Sequence, residues 1–418
     1  MASAEADDGA PGWRRRVAVV AAAQLLSMMG FSCAISFLPL FIQTLGIDSP
    51  ARAVAWSGSL NFAQGIMVAL CSPLWGAIAD RHGAKLMVCR ALLGGGAVLV
   101  VISFVGRVEL LFALFLVLGC FTGVNTAVVT LVSGLAPRKS LGAAIGACQT
   151  GVFVGISIGP TVGGILADSF SYRIGIRGGA CLLLLSGALV LFGIGAPARR
   201  SQAVEQRPGL IANLRAATGS RALMLLIGLI FVVQFSLQMI SPVLPIYVQS
   251  LVPDATRVAT IVGLVLGIGG VTSALGAIFC GRLADRLGRR RLLAWTTAGG
   301  ALSIAGQALV AGVGPLFALR GLAGLFTGGL SVSTNTAIGS MVPEESRGAA
   351  FGISGSAFSL GNAFGPLLGG LLAGGLGPRP VIGLSALTLL CGWGIVQALG
   401  RAAARQEAQA GQIVSGGA

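Results

Sequence analysis

The chain has 418 residues, of which 55% are hydrophobic and 10% charged, and its mean hydropathy is +0.89. A soluble domain carries roughly 25% charged residues, so this composition excludes a soluble enzyme or regulator and places the chain in a bilayer. A formal charge of +15 would suit a nucleic-acid partner, but the basic residues sit in short loops between apolar stretches, where anionic lipid headgroups are the natural partner; no nucleic acid is expected.

The first sixteen residues are polar and end in Arg14, Arg15 and Arg16. The apolar stretch that follows is longer than the roughly 7–15-residue core of a signal peptide and is expected to be a retained first span. Twelve apolar stretches occur, at about 15–45, 53–78, 86–105, 110–135, 141–167, 176–195, 222–251, 258–283, 292–313, 315–341, 348–376 and 379–399. About 20 such residues cross a bilayer as a helix, and the period-2 alternation of a barrel is missing. The expected fold is an all-α membrane protein, with twelve transmembrane helices in two six-helix pseudo-repeats. The expected segments are a tail over 1–14, a half over 15–195, a linker over 196–221, a half over 222–400 and a tail over 401–418. In the linker, Leu210, Ile211 and Leu214 beside Arg207 and Arg215 would form either a short helix on the membrane face or a plain tether. Most arginines and lysines fall in the tails, the linker and the loops after even-numbered spans. By the positive-inside rule this puts both termini in the cytoplasm of a bacterial inner-membrane protein. The eight cysteines lie in or beside spans without a Cys-x-x-Cys pair and read as small packing residues.

Three marks recur in one order at one offset. Gly76–Lys85, with Asp80, Arg81 and Gly83, returns as Gly281–Arg290, with Asp285, Arg286, Gly288 and Arg289, 205 residues later. Gly155, Gly159, Pro160, Gly163 and Gly164 return as Gly361, Gly365, Pro366, Gly369 and Gly370, and Pro39–Ile42 as Pro245–Val248, both 206 residues later. Such periodicity is read before the fold, and two parallel halves in a membrane protein imply a transporter with its site at the midplane between them. Gly83 and Gly288 let the chain turn back sharply. Asp80 is expected at the positive end of the helix starting near Arg347, and Asp285 at the helix starting near Leu141, joining one half to the other as a latch. The row Gly151, Gly155 and Gly159, and its counterpart Gly361, Gly365 and Gly369, share one helix face each. They are expected to bring the halves together, with Pro160 and Pro366 bending the helices.

These residues resemble the major facilitator superfamily, in its twelve-span bacterial drug:proton antiporter branch. The Gly-x-x-x-Asp-Arg-x-Gly loop carries the superfamily likeness, and Gly146, Gly155, Gly159, Pro160, Gly163 and Gly164 match a motif of export antiporters. Phe37–Phe41, Trp56-Ser57-Gly58 and Ser72–Gly76 are similar to MdtG-like multidrug exporters. Where that family has a span-4 arginine linked to proton coupling, four residues before a glycine, this chain has Phe115 before Gly119; the equivalent place in span 10 holds Arg320 before Gly324. The resemblance implies that spans 1, 4, 7 and 10 line a substrate cavity. Its candidates are Gln24, Phe31 and Ser36, then Asn125, then Gln234 and Gln238, and Asn335, with Gln149, Phe153, Phe358 and Asn362 reaching in from spans 5 and 11. The coupling or gating set is Asp80, Arg81, Gly83, Lys85, Asp285, Arg286, Gly288, Arg289, Gly155, Gly159, Pro160, Gly163 and Arg320.

All thirteen Asp and Glu fall in tails, loops or span ends; intramembrane charges normally mark ion routes, and here only Arg320 enters a span. It lies roughly 7–8 Å past Pro315 at 1.5 Å per residue, either in the cavity wall or snorkelling to the interface. One histidine, His82, cannot assemble a nucleophile–base set, and there is no phosphate-binding Gly-Lys-Ser/Thr loop. The expectation is a non-enzymatic secondary transporter without metal or cofactor, acting as a monomer and exporting amphipathic small molecules against protons. The alternatives are export of a sugar, metabolite, siderophore or lipid, or a non-transporting receptor or assembly protein.

Overall fold

The computed structural model describes residues 12–195, 221–252, 255–341 and 347–415. The expected linker helix around Leu210 therefore lies outside the described residues. Twelve long helices run back and forth. Spans 1 to 6 are Trp13–Ile35, Pro50–His82, Ala84–Ile102, a split span 4 of Val108–Phe121 and Val124–Leu135, Leu141–Ser169, and Tyr172–Gly193. Spans 7 to 12 are Arg221–Ile240, Val258–Leu287, Arg289–Leu309, Val313–Met341, Arg347–Leu376 and Pro378–Ser415. Eleven of the described helices are long and apolar enough to cross a membrane. Span 9 is diluted by three leading arginines and by Thr296, Thr297, Ser303 and Gln307. These four are buried in the bundle, and each donates to a carbonyl of its own helix.

Three expected continuous spans are broken, each for a local reason. Span 1 stops at Ile35, and a short helix Leu38–Gln43 follows with Pro39 in its first turn; span 7 stops at Ile240, and Leu244–Leu251 follows with Pro245 in the same place. Proline starts a helix well but cannot continue one. Span 4 breaks at Thr122–Gly123, where Gly123 has φ 114°. The freed Cys120 carbonyl accepts from Trp75 Nε1 (2.8 Å) and Arg90 Nη1 (3.0 Å), and the Arg90 guanidinium stacks 3.6 Å over the Trp75 ring. At the other end of the chain, span 12 continues as a helix to Ser415, past the expected end near 399.

The halves share a core at one end only. A single apolar cluster joins Phe41, Val54 and Ala180 of the first half to Leu244, Val258 and Val381 of the second. At the opposite end each half has its own cluster, Val17, Val88 and Leu135 in one and Leu223, Ala337 and Leu399 in the other. We call the shared-core end the far end. The near end carries the start of spans 1, 5, 7 and 11 and the turns at Gly83 (φ 88°) and Gly288 (φ 78°).

The glycine rows correct one expectation. A Cβ on Gly151 or Gly155 would meet the backbone of span 1 at Ala21 and Leu25, and one on Gly159 would run into Ser32 and Met29. Gly361 and Gly365 face Phe235 and Gln238 of span 7 in the same way. These faces fasten helices within a half; the contact between halves is made on the neighbouring face. Gly193 lies against Val19 (2.9 Å for an added Cβ), whereas Gly228 has open space. Overpacking costs about 1–3 kcal/mol. Gly159→Leu should therefore lower the melting temperature of the purified protein, and Gly228→Leu should leave it near wild type. Equal shifts in a thermal-shift measurement would contradict the packing assigned to Gly159.

Candidate functional site

Two pairs of helices join the halves, spans 5 with 8 and spans 2 with 11. They are copies of one contact. The Pro160 carbonyl lies where a Cβ on Gly263 would be, and the Pro366 carbonyl where a Cβ on Gly58 would be. Gly164 packs on the backbone of Ala259 and Thr260, and Gly370 on Val54 and Gly58. Thr161 adds a hydrogen bond to the Gly263 carbonyl (3.1 Å). Close approach of this kind is what small residues permit in lipid. On the axis between the two contacts, Gln43 and Gln249, 206 residues apart, exchange amide hydrogen bonds of 3.3 and 3.2 Å.

The near end is open. An added Cβ on Gly76, Gly142, Gly146, Gly281 or Gly355 would meet nothing within 4 Å. Phe153 and Phe358, one from each half, are each 48% exposed there. Higher up, Phe62 and Phe364 meet across spans 2 and 11 with centroids 5.2 Å apart.

Between the closed and open ends lies a cavity of about 470 Å³, lined by residues of spans 1, 2, 5, 7, 8, 9 and 10. Phe31, Ser36, Gln238 and Arg320 of the expected set line it, as do Asn61, Ser241 and Thr327, which sequence reasoning did not single out. The lining includes no Asp or Glu and one charge, Arg320. Gly269 leaves room for the Arg320 guanidinium, since a Cβ there would sit 3.3 Å from Nε. Arg320 makes no hydrogen bond or ion pair to another described residue. Its counterpart in the first half, Phe115, is fully buried.

Other expected residues form two amide contacts between spans. Asn362 Oδ1 accepts from Gln234 Nε2 (3.2 Å) and from Gln238 Nε2, tying span 11 to span 7. Gln24 is 1% exposed, and its Nε2 lies 3.5 Å from Asn125 Oδ1 on span 4. Gln149 is half-buried on the near-end part of span 5. The side chains of Asn335, Asp80, Asp285, Arg286 and Arg289 lie outside what the structure describes. Arg81 is exposed. Lys85 stays within its own half: its Nζ donates to the Leu191 (2.8 Å) and Ile194 (2.5 Å) carbonyls at the end of span 6. Cations at a helix C-terminus satisfy carbonyls left without a partner. Lys85→Ala should accordingly speed amide exchange over 190–194 while leaving the exchange of span 2 unchanged; protection lost evenly across both would contradict a local cap.

Gln43 and Gln249 were not singled out in the sequence, although each directly follows a repeated Pro39–Ile42 or Pro245–Val248 segment, and their shared offset was the available signal.

A pair of pseudo-symmetric six-helix halves around an axial cavity, sealed at one end, is the architecture of a membrane transporter. The family model described as Major Facilitator Superfamily matches residues 20–254 and 226–412. The chain is similar to multidrug resistance protein MdtG of Rahnella sp. (strain Y9602), with 31% identity over 397 residues, 93% of this chain and 95% of that protein. It is similar to the MdtG of Escherichia coli (strain SMS-3-5 / SECEC) at 29% over 381 residues, 90% of this chain and 92% of that protein. Among solved structures, it shares the fold of a D-xylose–proton symporter (TM-score 0.73, 18% identity, 91% of this chain and 98% of that chain). It likewise shares the fold of a bacterial homologue of the human lysosomal transporter Spinster in an inward-facing, unoccupied conformation (TM-score 0.74, 15% identity, 94% and 98%). The chain belongs to the major facilitator superfamily, and its resemblance to MdtG-like proteins extends over most of its length.

Proposed function

We propose that this chain exports amphipathic small molecules across the bacterial cytoplasmic membrane by alternating access, driven by protons moving inward. The observation that carries the reading is the asymmetry of the bundle: one shared core and close backbone contact at the far end, separate cores and open space at the near end, and a cavity between. The relatives' name, multidrug resistance protein, supports drug-like cargo. With the basic near-end loops in the cytoplasm, this conformation is inward-open, the state that loads cargo for export. One chain holds both halves and the cavity between them, which supports a monomer.

Closure of the near end is the step in which Asp80 and Asp285 would act as the expected latch between the halves. Asp80→Asn and Asp285→Asn should leave expression and membrane insertion intact and slow transport. Wild-type rates in both variants at matched expression would remove the two residues from the mechanism.

The cavity lining sets the expected cargo. A permanently cationic compound would find no counter-ion, and an unpaired buried charge costs several kcal/mol. Cation–π contacts return only about 0.5–2 kcal/mol each. An anionic group would meet Arg320, and neutral parts would meet Phe31, Ser36 and Gln238. Vesicles loaded with matched neutral, anionic and quaternary amphipaths should move the first two faster, and Arg320→Ala should reduce anion transport most, by about tenfold or more for a lost charge-assisted contact. Fastest movement of quaternary cations, unaffected by Arg320→Ala, would overturn this assignment.

A further inference from the structure

The two contacts that seal the far end are copies in their backbones but not in their charge. Span 2 begins with its own cap: the Ser49 hydroxyl accepts from the Arg52 N–H, and Pro50 follows in the first turn. Span 8 begins at Arg257, whose side chain makes no cap. Its first N–H groups are satisfied from the other half. Asp168, at the end of span 5, accepts from the Ala259 N–H (3.2 Å, Oδ1) and the Thr260 N–H (2.6 Å, Oδ2). The position equivalent to Asp168, 206 residues on, is Gly374, which has no side chain to offer. Asp168 is the one carboxylate among the described residues that hydrogen-bonds across the halves.

We propose that Asp168 is the positioning residue that holds the far end shut, and that protonation of its carboxylate releases it. The proposal rests on the alternating-access reading for its consequence, but its geometry is independent of any cargo. A carboxylate at a helix N-terminus is favoured both by the free N–H groups and by the positive end of the helix dipole. A neutral carboxyl group keeps only weaker acceptor oxygens and loses the charge. The bond also joins two bodies that must separate, so its contribution to the closed far end is present only while Asp168 is ionised. The sign follows: raising pH favours the closed far end, and acid on that side favours opening. Tyr172 at the start of span 6 is close enough to feel the Asp168 charge. Arg257, on the turn Ala255–Arg257 that packs against span 5, is exposed. Arg173 and Arg177 turn away to the Ser103 carbonyl and hydroxyl (3.2 and 3.1 Å), and the Cys33 thiol of span 1 donates to the Gly175 carbonyl (3.5 Å). Asp254 lies outside the described residues.

The test reads conformation rather than transport. In a background without the eight native cysteines, spin labels on Gln43→Cys and Gln249→Cys report the far-end distance, a readout that does not depend on thiol ionisation. The distance distribution is measured in reconstituted vesicles from about pH 3 to 7, a window that brackets the reference aspartate value of about 3.9. With Asp168 present, the short-distance population should grow as pH rises. Asp168→Asn should flatten this profile and lower the ratio of short to long distances at the upper pH by about fivefold, the size of one carboxylate at a helix N-terminus. Asp168→Glu should restore the slope in part. A pH-independent distribution with Asp168 present would overturn the proposal, and so would an unchanged slope in Asp168→Asn. Failure of proton-driven export in the same vesicles, with the distance profile intact, would sink the exporter reading and leave the latch standing.

Discussion

At four places on the far end the two halves meet backbone to backbone: Gly58 on Pro366, Gly263 on Pro160, Gly164 on Ala259 and Gly370 on Val54. Lipid supplies no hydrophobic drive for helix association, so the halves are held by close van der Waals fit and by a few hydrogen bonds. Such a fit is narrow. Any Cβ at these positions would have to displace main chain, which cannot give way as a flexible side-chain end can. A surface of this kind is either seated or apart, and closely packed interfaces change state in discrete steps. The remaining architecture follows from it. Each half is made rigid by its own glycine row, so that the seam between halves is where movement is least costly.

The cavity follows from the same arrangement. Because the halves touch at the far end and diverge toward the near end, the space between them is deepest at mid-bundle, where Arg320, Gln238 and Ser36 converge. The polar groups there are mostly hydroxyls and amides that already bond to their own helices, such as Ser36 to the Ser32 carbonyl (2.5 Å). They can therefore sit in an apolar bundle at little cost and still turn toward a bound molecule. Arg320 is the exception, a charge with room but without a partner among the described residues. Its counterpart Phe115 is packed away, which leaves the single charge of the lining on the second-half side.

Much of this was legible in the sequence, because hydropathy and repeated motifs are properties of the chain itself. Twelve spans and two halves follow from apolar length and a 205–206-residue period, and the turns at Gly83 and Gly288 follow from glycine's access to positive φ. What the sequence did not disclose was which surface faces which. Glycines four apart announce a close approach but not its partner, and Gly155 and Gly159 turned out to face span 1. Lys85 belongs to the same motif as Asp80, yet its length lets it reach the end of span 6 in its own half. Gln43, Gln249 and Asp168 carry no motif of their own and gain meaning only when the halves are placed against each other. The breaks at Ser36–Phe37 and Thr122–Gly123 were hidden by the uniform apolarity of the surrounding residues.

Movement of the halves as two bodies about the far-end seam is tested most directly by measuring distances at both ends in one preparation. Spin labels on Gly76→Cys and Gly281→Cys report the near end, where both positions have open space; labels on Gln43→Cys and Gln249→Cys report the far end. Two populations with opposite trends are expected: as the far-end distance lengthens, the near-end distance shortens. Distances that change at one end alone, or that lengthen together, would contradict it.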